Sequence, residues 1–209
     1  MIKGSNRLDT VQEYYFSKKL REVSALLDLG KPVINMGIGS PDLFPSKGVI
    51  KALKNSLDHK TAHKYQSYQG LFELRNAISK FYYKFFKVKS NPENEVLPLI
   101  GSKEGIMHIS LAFLNPGDEV LIPNPGYPTY LSVTKLVEAN PVFYDLLKEN
   151  NWFPDLNELE KKDLSKVKIM WINYPHMPTG SSATLNQFDE LVVFARKNNI
   201  LLINDNPYS

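Results

Sequence analysis

The chain has 209 residues, 43% of them hydrophobic, and its 25 Lys and Arg against 22 Asp and Glu give a formal charge of +3. That composition supports a packed core and argues against disorder, and no basic block interleaved with aromatics marks a nucleic-acid surface; an anionic small ligand fits the slight positive excess. Cysteine is absent, which excludes disulfides, thiolate catalysis and cysteine-ligated metals together.

Met1 to Asp9 are polar and charged, with neither the apolar core of a signal peptide nor a run able to span a bilayer, so a cytoplasmic protein is expected. Leu8, Val11 and Tyr15, then Leu20, Val23 and Leu27, follow helical spacing until Gly30 and Pro32 stop it, which predicts an N-terminal helical arm. Val33 to Gly39 reads as a short extended segment, punctuated afterwards by Pro41 and Pro45. Helical spacing returns at Val49, Ile50, Leu53 and Leu57 and again at Leu71, Leu74, Ile78, Phe81 and Phe85, with a loop from Tyr65 to Gly70 between them. His59 and His63 have i, i+4 spacing, but they sit in a Lys-rich stretch without a carboxylate partner; this predicts an exposed helix end and no metal.

From Glu95 the rhythm becomes strand, loop, helix. Apolar runs beginning at Val96, Glu119, Pro141, Val167 and Ile200 alternate with longer segments, of which Ser102 to Leu114 and Leu185 to Lys197 are the most helical. Thr184 with Gln187 three residues on is a capping box for the second. The alternation predicts an α/β fold, a three-layer α/β/α arrangement around a mostly parallel sheet. A parallel sheet ending at Ser209 leaves edges uncovered, so the chain is expected to be the first part of a longer protein.

Four polar motifs follow directly on strand-like runs: Gly101-Ser102-Lys103, Pro123 to Tyr127, Asn173 to Gly180 and Asp205 to Tyr208. Ligands of open α/β sheets sit outside the carboxyl ends of the strands, so these loops should share one site. Gly101-Ser102 at a helix start offers unpaired N–H groups and a hydroxyl to a phosphate, or is simply a serine cap. Asp205 at a strand end wants a cationic partner such as a protonated pyridine nitrogen, or makes an Asx turn. Tyr127, on a proline-stiffened loop, is an aromatic plate for a flat ligand or a packing residue. Together with the phenol of Tyr208, the four describe a site for a phosphorylated aromatic heterocycle.

At this point the chain resembles the class I aminotransferases, pyridoxal-phosphate enzymes of fold type I, in the branch around aspartate and LL-diaminopimelate aminotransferases. The resemblance is carried by Gly37 to Asp42, Tyr65, Gly70 to Arg75, Gly101 to Glu104, Asn115 to Asp118, Pro123 to Tyr130, Asn173 to Gly180 and Asp205 to Tyr208. It implies pyridoxal 5'-phosphate as cofactor, amino-acid and 2-oxo-acid substrates, and a homodimer with shared active sites. Asp205 then matches the partner of the ring nitrogen and Tyr208 that of the phenolic oxygen. Tyr127 matches the stacking residue, Gly101, Ser102 and Lys103 the phosphate site, and Asn173 joins the cofactor wall. Tyr65 matches the tyrosine that reaches the neighbouring subunit's phosphate, and Gly39 the backbone that meets the substrate carboxylate.

The resemblance divides the chain into an arm with part of a small domain (1–45) and the first part of the large cofactor-binding domain (46–209). It departs from the family at Met177, where an asparagine normally contacts cofactor and substrate carboxylate; a thioether donates no hydrogen bond. The family's Schiff-base lysine and its phosphate- and carboxylate-binding arginines fall beyond Ser209, so this stretch alone should be inactive. A carbon–sulfur lyase with the same cofactor and a non-catalytic cofactor-binding regulator remain as alternatives. A nicotinamide site is set aside, because Gly37-Ile38-Gly39 runs into Pro41 rather than into a helix.

Overall fold

The computed structural model describes residues 2–9, 13–37, 39 and 41–209. Val11, Ile38 and Ser40, which enter the sequence patterns above, lie outside the described residues. The chain separates into two compact units, residues 13–98 and residues 1–12 with 99–209.

Among its described residues the 13–98 unit holds three helices, α1 (Tyr15–Asp28), α2 (Lys47–Leu57) and α3 (Phe72–Phe86); the last two lie where the apolar spacing predicts them, whereas α1 begins at Tyr15 and not at Leu8, which ends a separate turn of 3-10 helix. The hydroxyl of Ser46 caps α2 by accepting from the Val49 amide at 3.4 Å. Helix α3 closes on Lys87 in the left-handed conformation, φ 58°, and its buried Arg75 donates to the Pro92 carbonyl. The expected extended segment 33–39 forms no strand among its described residues.

The second unit carries α4 (Ser102–Phe113), β1 (Glu119–Asn124), α5 (Pro128–Leu136), β2 (Asn140–Asp145), α6 (Leu156–Glu160), β3 (Val167–Ile172), α7 (Leu185–Lys197) and β4 (Leu201–Asn204). The strands pair in parallel in the order β2-β1-β3-β4. Successive strand residues face opposite sides, and here both sides are apolar. Val120, Ile122, Ile169 and Trp171 pack with Ile106 of α4 and Tyr130 and Val133 of α5. Leu121, Met170 and Ile172 pack on the other face with Leu159 of α6 and Leu191, Phe194 and Ala195 of α7. This is the expected three-layer sandwich, and it explains why the strands read as continuous apolar runs rather than alternating ones.

One expected strand does not form. Val96 to Ile100 pairs with nothing among the described residues; Ile100 is 99% and Leu97 59% exposed. Pro98 removes a ladder donor from the middle of the run, and the Ile100 amide donates instead to the Glu104 carboxylate at 2.7 Å.

The capping box of α7 is present in full: Thr184 accepts from the Gln187 amide and the Gln187 side chain accepts from the Thr184 amide. Thr184→Ala is therefore expected to destabilise the fold by about 1 kcal/mol, seen as a lower denaturant midpoint with an unchanged slope.

Candidate active site

The sheet order places β1 between β2 and β3, so the chain leaves β1 toward one neighbour and returns on the other side. Helix α5, after β1, covers one face and α7, after β3, covers the other. Loops leaving the carboxyl ends of β1 and β3 therefore diverge and open a crevice, the standard place for a ligand in such sheets.

A cavity of about 210 Å³ occupies that crevice. Its walls are Tyr127 after β1, Asn173 and Met177 after β3, Asp205, Pro207 and Tyr208 after β4, and Ser102 in the first turn of α4. Of the residues singled out from sequence, six thus converge on one cavity: Ser102, Tyr127, Asn173, Met177, Asp205 and Tyr208. Gly101 and Lys103 flank Ser102, and the Lys103 ammonium lies 5.9 Å from the centroid of the Tyr127 ring. Tyr65 and Gly39 belong to the 13–98 unit. There Tyr65 stands fully exposed, and Gly39 has nothing within 4 Å of where a Cβ would sit.

Each wall is held by local chemistry. Gly126 is required for the turn into Tyr127, since a Cβ there would lie 2.4 Å from the Pro123 carbonyl oxygen. Pro128 then opens α5 at a position where a missing N–H costs nothing. On α4 the N-cap is Gly101, without a side-chain cap bond, so Ser102 is the first helical residue rather than the cap. Its hydroxyl and the first-turn amides sit at the positive end of the helix dipole.

Asparagines bind the remaining loops to one another. The buried Asn173 donates through Nδ2 to the Asp205 carbonyl and accepts through Oδ1 from the Met177 amide at 2.7 Å. Asn204 Oδ1 accepts from the Tyr174 amide at 2.9 Å, and its Nδ2 donates back to the Tyr174 carbonyl at 3.2 Å. Asp205 N continues the ladder to the Ile172 carbonyl at 2.9 Å. The carboxylate of Asp205 is half-buried, and its Oδ2 accepts from the phenol of Tyr130 at 2.8 Å.

Tyr130, which supports the cavity's Asp205 from outside its lining, is not singled out by the sequence. It is fully buried on α5, one turn beyond Tyr127. Behind the Met177 loop, His176 is also buried; its Nδ1 pairs with the Thr179 hydroxyl at 2.8 Å, and burial pushes its imidazole pKa down.

A larger hollow of about 680 Å³ lies between residues 150–160 and α7. Its buried wall is apolar, from Phe153, Pro154 and Phe194, and its carboxylates, among them Asp155 and Glu190, are exposed. It is lined by the connection from β2 to α6 and by α6 and α7, and shares no lining residue with the smaller cavity. No group of three or more metal-ligating side chains and no helix long and apolar enough to cross a membrane occurs among the described residues.

The chain resembles known proteins along nearly its whole length. An LL-diaminopimelate aminotransferase of Dehalococcoides mccartyi (strain 195) is 42% identical over 208 residues, covering 100% of this chain and 54% of that protein. One from Aquifex aeolicus is 40% identical over 209 residues with the same coverage. The chain therefore spans about half the length of the curated relatives it matches. Among solved structures, apo BacF from Bacillus subtilis superposes with a TM-score of 0.92 at 34% identity, over 98% of this chain and 52% of that one. Aspartate aminotransferase from Thermus thermophilus with maleate shares the fold at a TM-score of 0.92 and 22% identity, over 100% of this chain and 54% of that one. The family model for aminotransferase class I and II matches residues 31–209, and the chain belongs to that family.

Proposed function

We propose that the cavity at the ends of β1, β3 and β4 receives pyridoxal 5'-phosphate and that the whole protein transfers an amino group between an amino acid and a 2-oxo acid. The observation that carries this reading is the shared cavity of Asp205, Tyr127 and Ser102: a carboxylate, an aromatic plate and a helix tip facing one space. The donor set fits the coenzyme's three distinguishing groups. The hydrogen-bond partner of the Asp205 carboxylate is a neutral phenol, so a cationic ring nitrogen completes its charge. When bound, the coenzyme's conjugated ring takes up the electron pair released at the substrate α-carbon.

The chain's own residues have the following parts in this reading. Asp205 holds a proton on the ring nitrogen, and Tyr208 donates to the ring's phenolic oxygen. Ser102 and the first-turn amides of α4, with Gly101 and Lys103 beside them, bind the phosphate. Tyr127 lies against a planar face, a contact worth on the order of 1 kcal/mol beyond buried area. Asn173 keeps the wall closed, and Met177 leaves it without a side-chain donor. Gly39 meets the substrate carboxylate, and Tyr65 serves the neighbouring subunit of a cytoplasmic homodimer. Residues 1–45 form the arm and part of a small domain, and 46–209 the first part of the large domain.

The test uses the full-length protein. Titration with pyridoxal phosphate is expected to produce a protein-bound visible band. Adding an amino donor should change that band, and LL-diaminopimelate is the first to try because the relatives are named for it. Amino transfer to 2-oxoglutarate should follow. Absence of a bound band at saturating coenzyme overturns the reading. Release of pyruvate and ammonia in place of transfer makes the protein a lyase, and binding without any turnover makes it a regulator.

A further inference from the structure

Tyr130 has more interactions than a packing residue needs. Its ring is stacked on Trp171 with centroids 5.0 Å apart and planes 6° apart, and meets the edge of Tyr127 at 5.7 Å and 79°. Its amide bonds the Tyr127 carbonyl at 3.2 Å in the first turn of α5. Backbone and ring together leave the hydroxyl one direction, and in that direction it meets Asp205 Oδ2 at 2.8 Å. Burial first, and the Asp205 charge second, push the phenol's pKa well above its ordinary value. The group is therefore a proton donor over the whole working range. A carboxylate with two free oxygens can present either one; a fixed donor on one oxygen removes that choice.

We propose that Tyr130 is a positioning residue for the reaction: its phenol holds Asp205 Oδ2, leaving Oδ1 to face the ring nitrogen of the coenzyme. The inference rests on the coenzyme reading above. It also joins two walls of the cavity, because the tyrosine that lies against the ring face (Tyr127) and the one that orients the acid (Tyr130) share one turn of helix and touch each other. A shift of α5 would then move the aromatic plate and the acid together.

The hydroxyl is removed alone by Tyr130→Phe, which keeps the stack on Trp171. The control is Tyr144→Phe. Tyr144 is also buried and donates to the Trp171 carbonyl at 2.6 Å, but Trp171, unlike Asp205, does not line the cavity. Both variants are made in the full-length protein, loaded with pyridoxal phosphate labelled with nitrogen-15 in the ring. Tyr130→Phe is expected to shift the ring-nitrogen resonance and to lower kcat about tenfold with KM for the amino donor within about twofold, the loss of one charge-assisted hydrogen bond. Tyr144→Phe is expected to lower the thermal midpoint while leaving the resonance and kcat at wild type. A ring-nitrogen resonance in Tyr130→Phe identical to wild type overturns the inference while the coenzyme reading stands. Equal loss of kcat in both variants overturns it as well, by reducing Tyr130 to a structural role. If the wild type itself shows no bound ring-nitrogen resonance, the coenzyme reading falls first and this inference with it.

Discussion

Asp205→Asn in the full-length protein is expected to lower kcat by about 100- to 1,000-fold while leaving the thermal midpoint near wild type. The magnitude follows from charge. Truncating one member of a buried, hydrogen-bonded charge pair costs about 2–5 kcal/mol, and each ~1.4 kcal/mol is a factor of ten in rate. Asp205 is half-buried, so the middle of that range applies. The unchanged midpoint follows from what Asn keeps. Its carbonyl oxygen still accepts from Tyr130, and the backbone at 205 still bonds Asn173 Nδ2 and the Ile172 carbonyl. Asp205→Ala removes the acceptor as well and strands a buried phenol, which adds about 1–3 kcal/mol of destabilisation. The pair of variants, compared by steady-state kinetics and thermal melting, separates the charge from the hydrogen bond. Wild-type turnover in Asp205→Asn would remove the acid from the chemistry.

The second unit was largely legible because its signals are local. Helix α7 runs over Leu185–Lys197 as its spacing predicts, starting at a capping box that is itself two side chains three residues apart. The strands at 119, 167 and 201 could be found from their apolar runs because both faces of the sheet are covered. Pro123 and Asn124 look like loop residues yet extend β1. On the β3 side the ladder stops at Leu121, so a proline there sacrifices no pairing to β3. The stretch around Pro128 reads as a stiff loop, since two prolines and a glycine hide the start of α5 behind turn chemistry. What remains illegible is long-range. Tyr130 and Asp205 are 75 residues apart, and no periodicity links a phenol on one helix to a carboxylate on a later strand end. Val96 to Ile100 is the opposite failure, an apolar run with strand composition but no partner to pair with among the described residues.

The cavity also depends on a residue whose own role is to hold others. Asn173→Ala is expected to destabilise the protein by about 2–4 kcal/mol and to weaken coenzyme binding by at least about tenfold, more than any surface change near the site. The side chain is buried, and its amide orientation is dictated by its partners. The Asp205 carbonyl can only accept, so Nδ2 must face it; the Met177 amide can only donate, so Oδ1 must face that. Alanine leaves one carbonyl and one N–H without partners and frees the loop after β3 from the loop after β4, the two that carry Met177 and Asp205. Asn173→Asp distinguishes this tie from mere bulk. It has nearly the same shape and keeps an acceptor for Met177, but it replaces a donor with an anion against the Asp205 carbonyl. Thermal melting and coenzyme titration of Asn173→Asp should therefore resemble those of the alanine variant, because what the two loops share is a donated proton. An aspartate variant that melts and binds like wild type would mean that packing alone holds them.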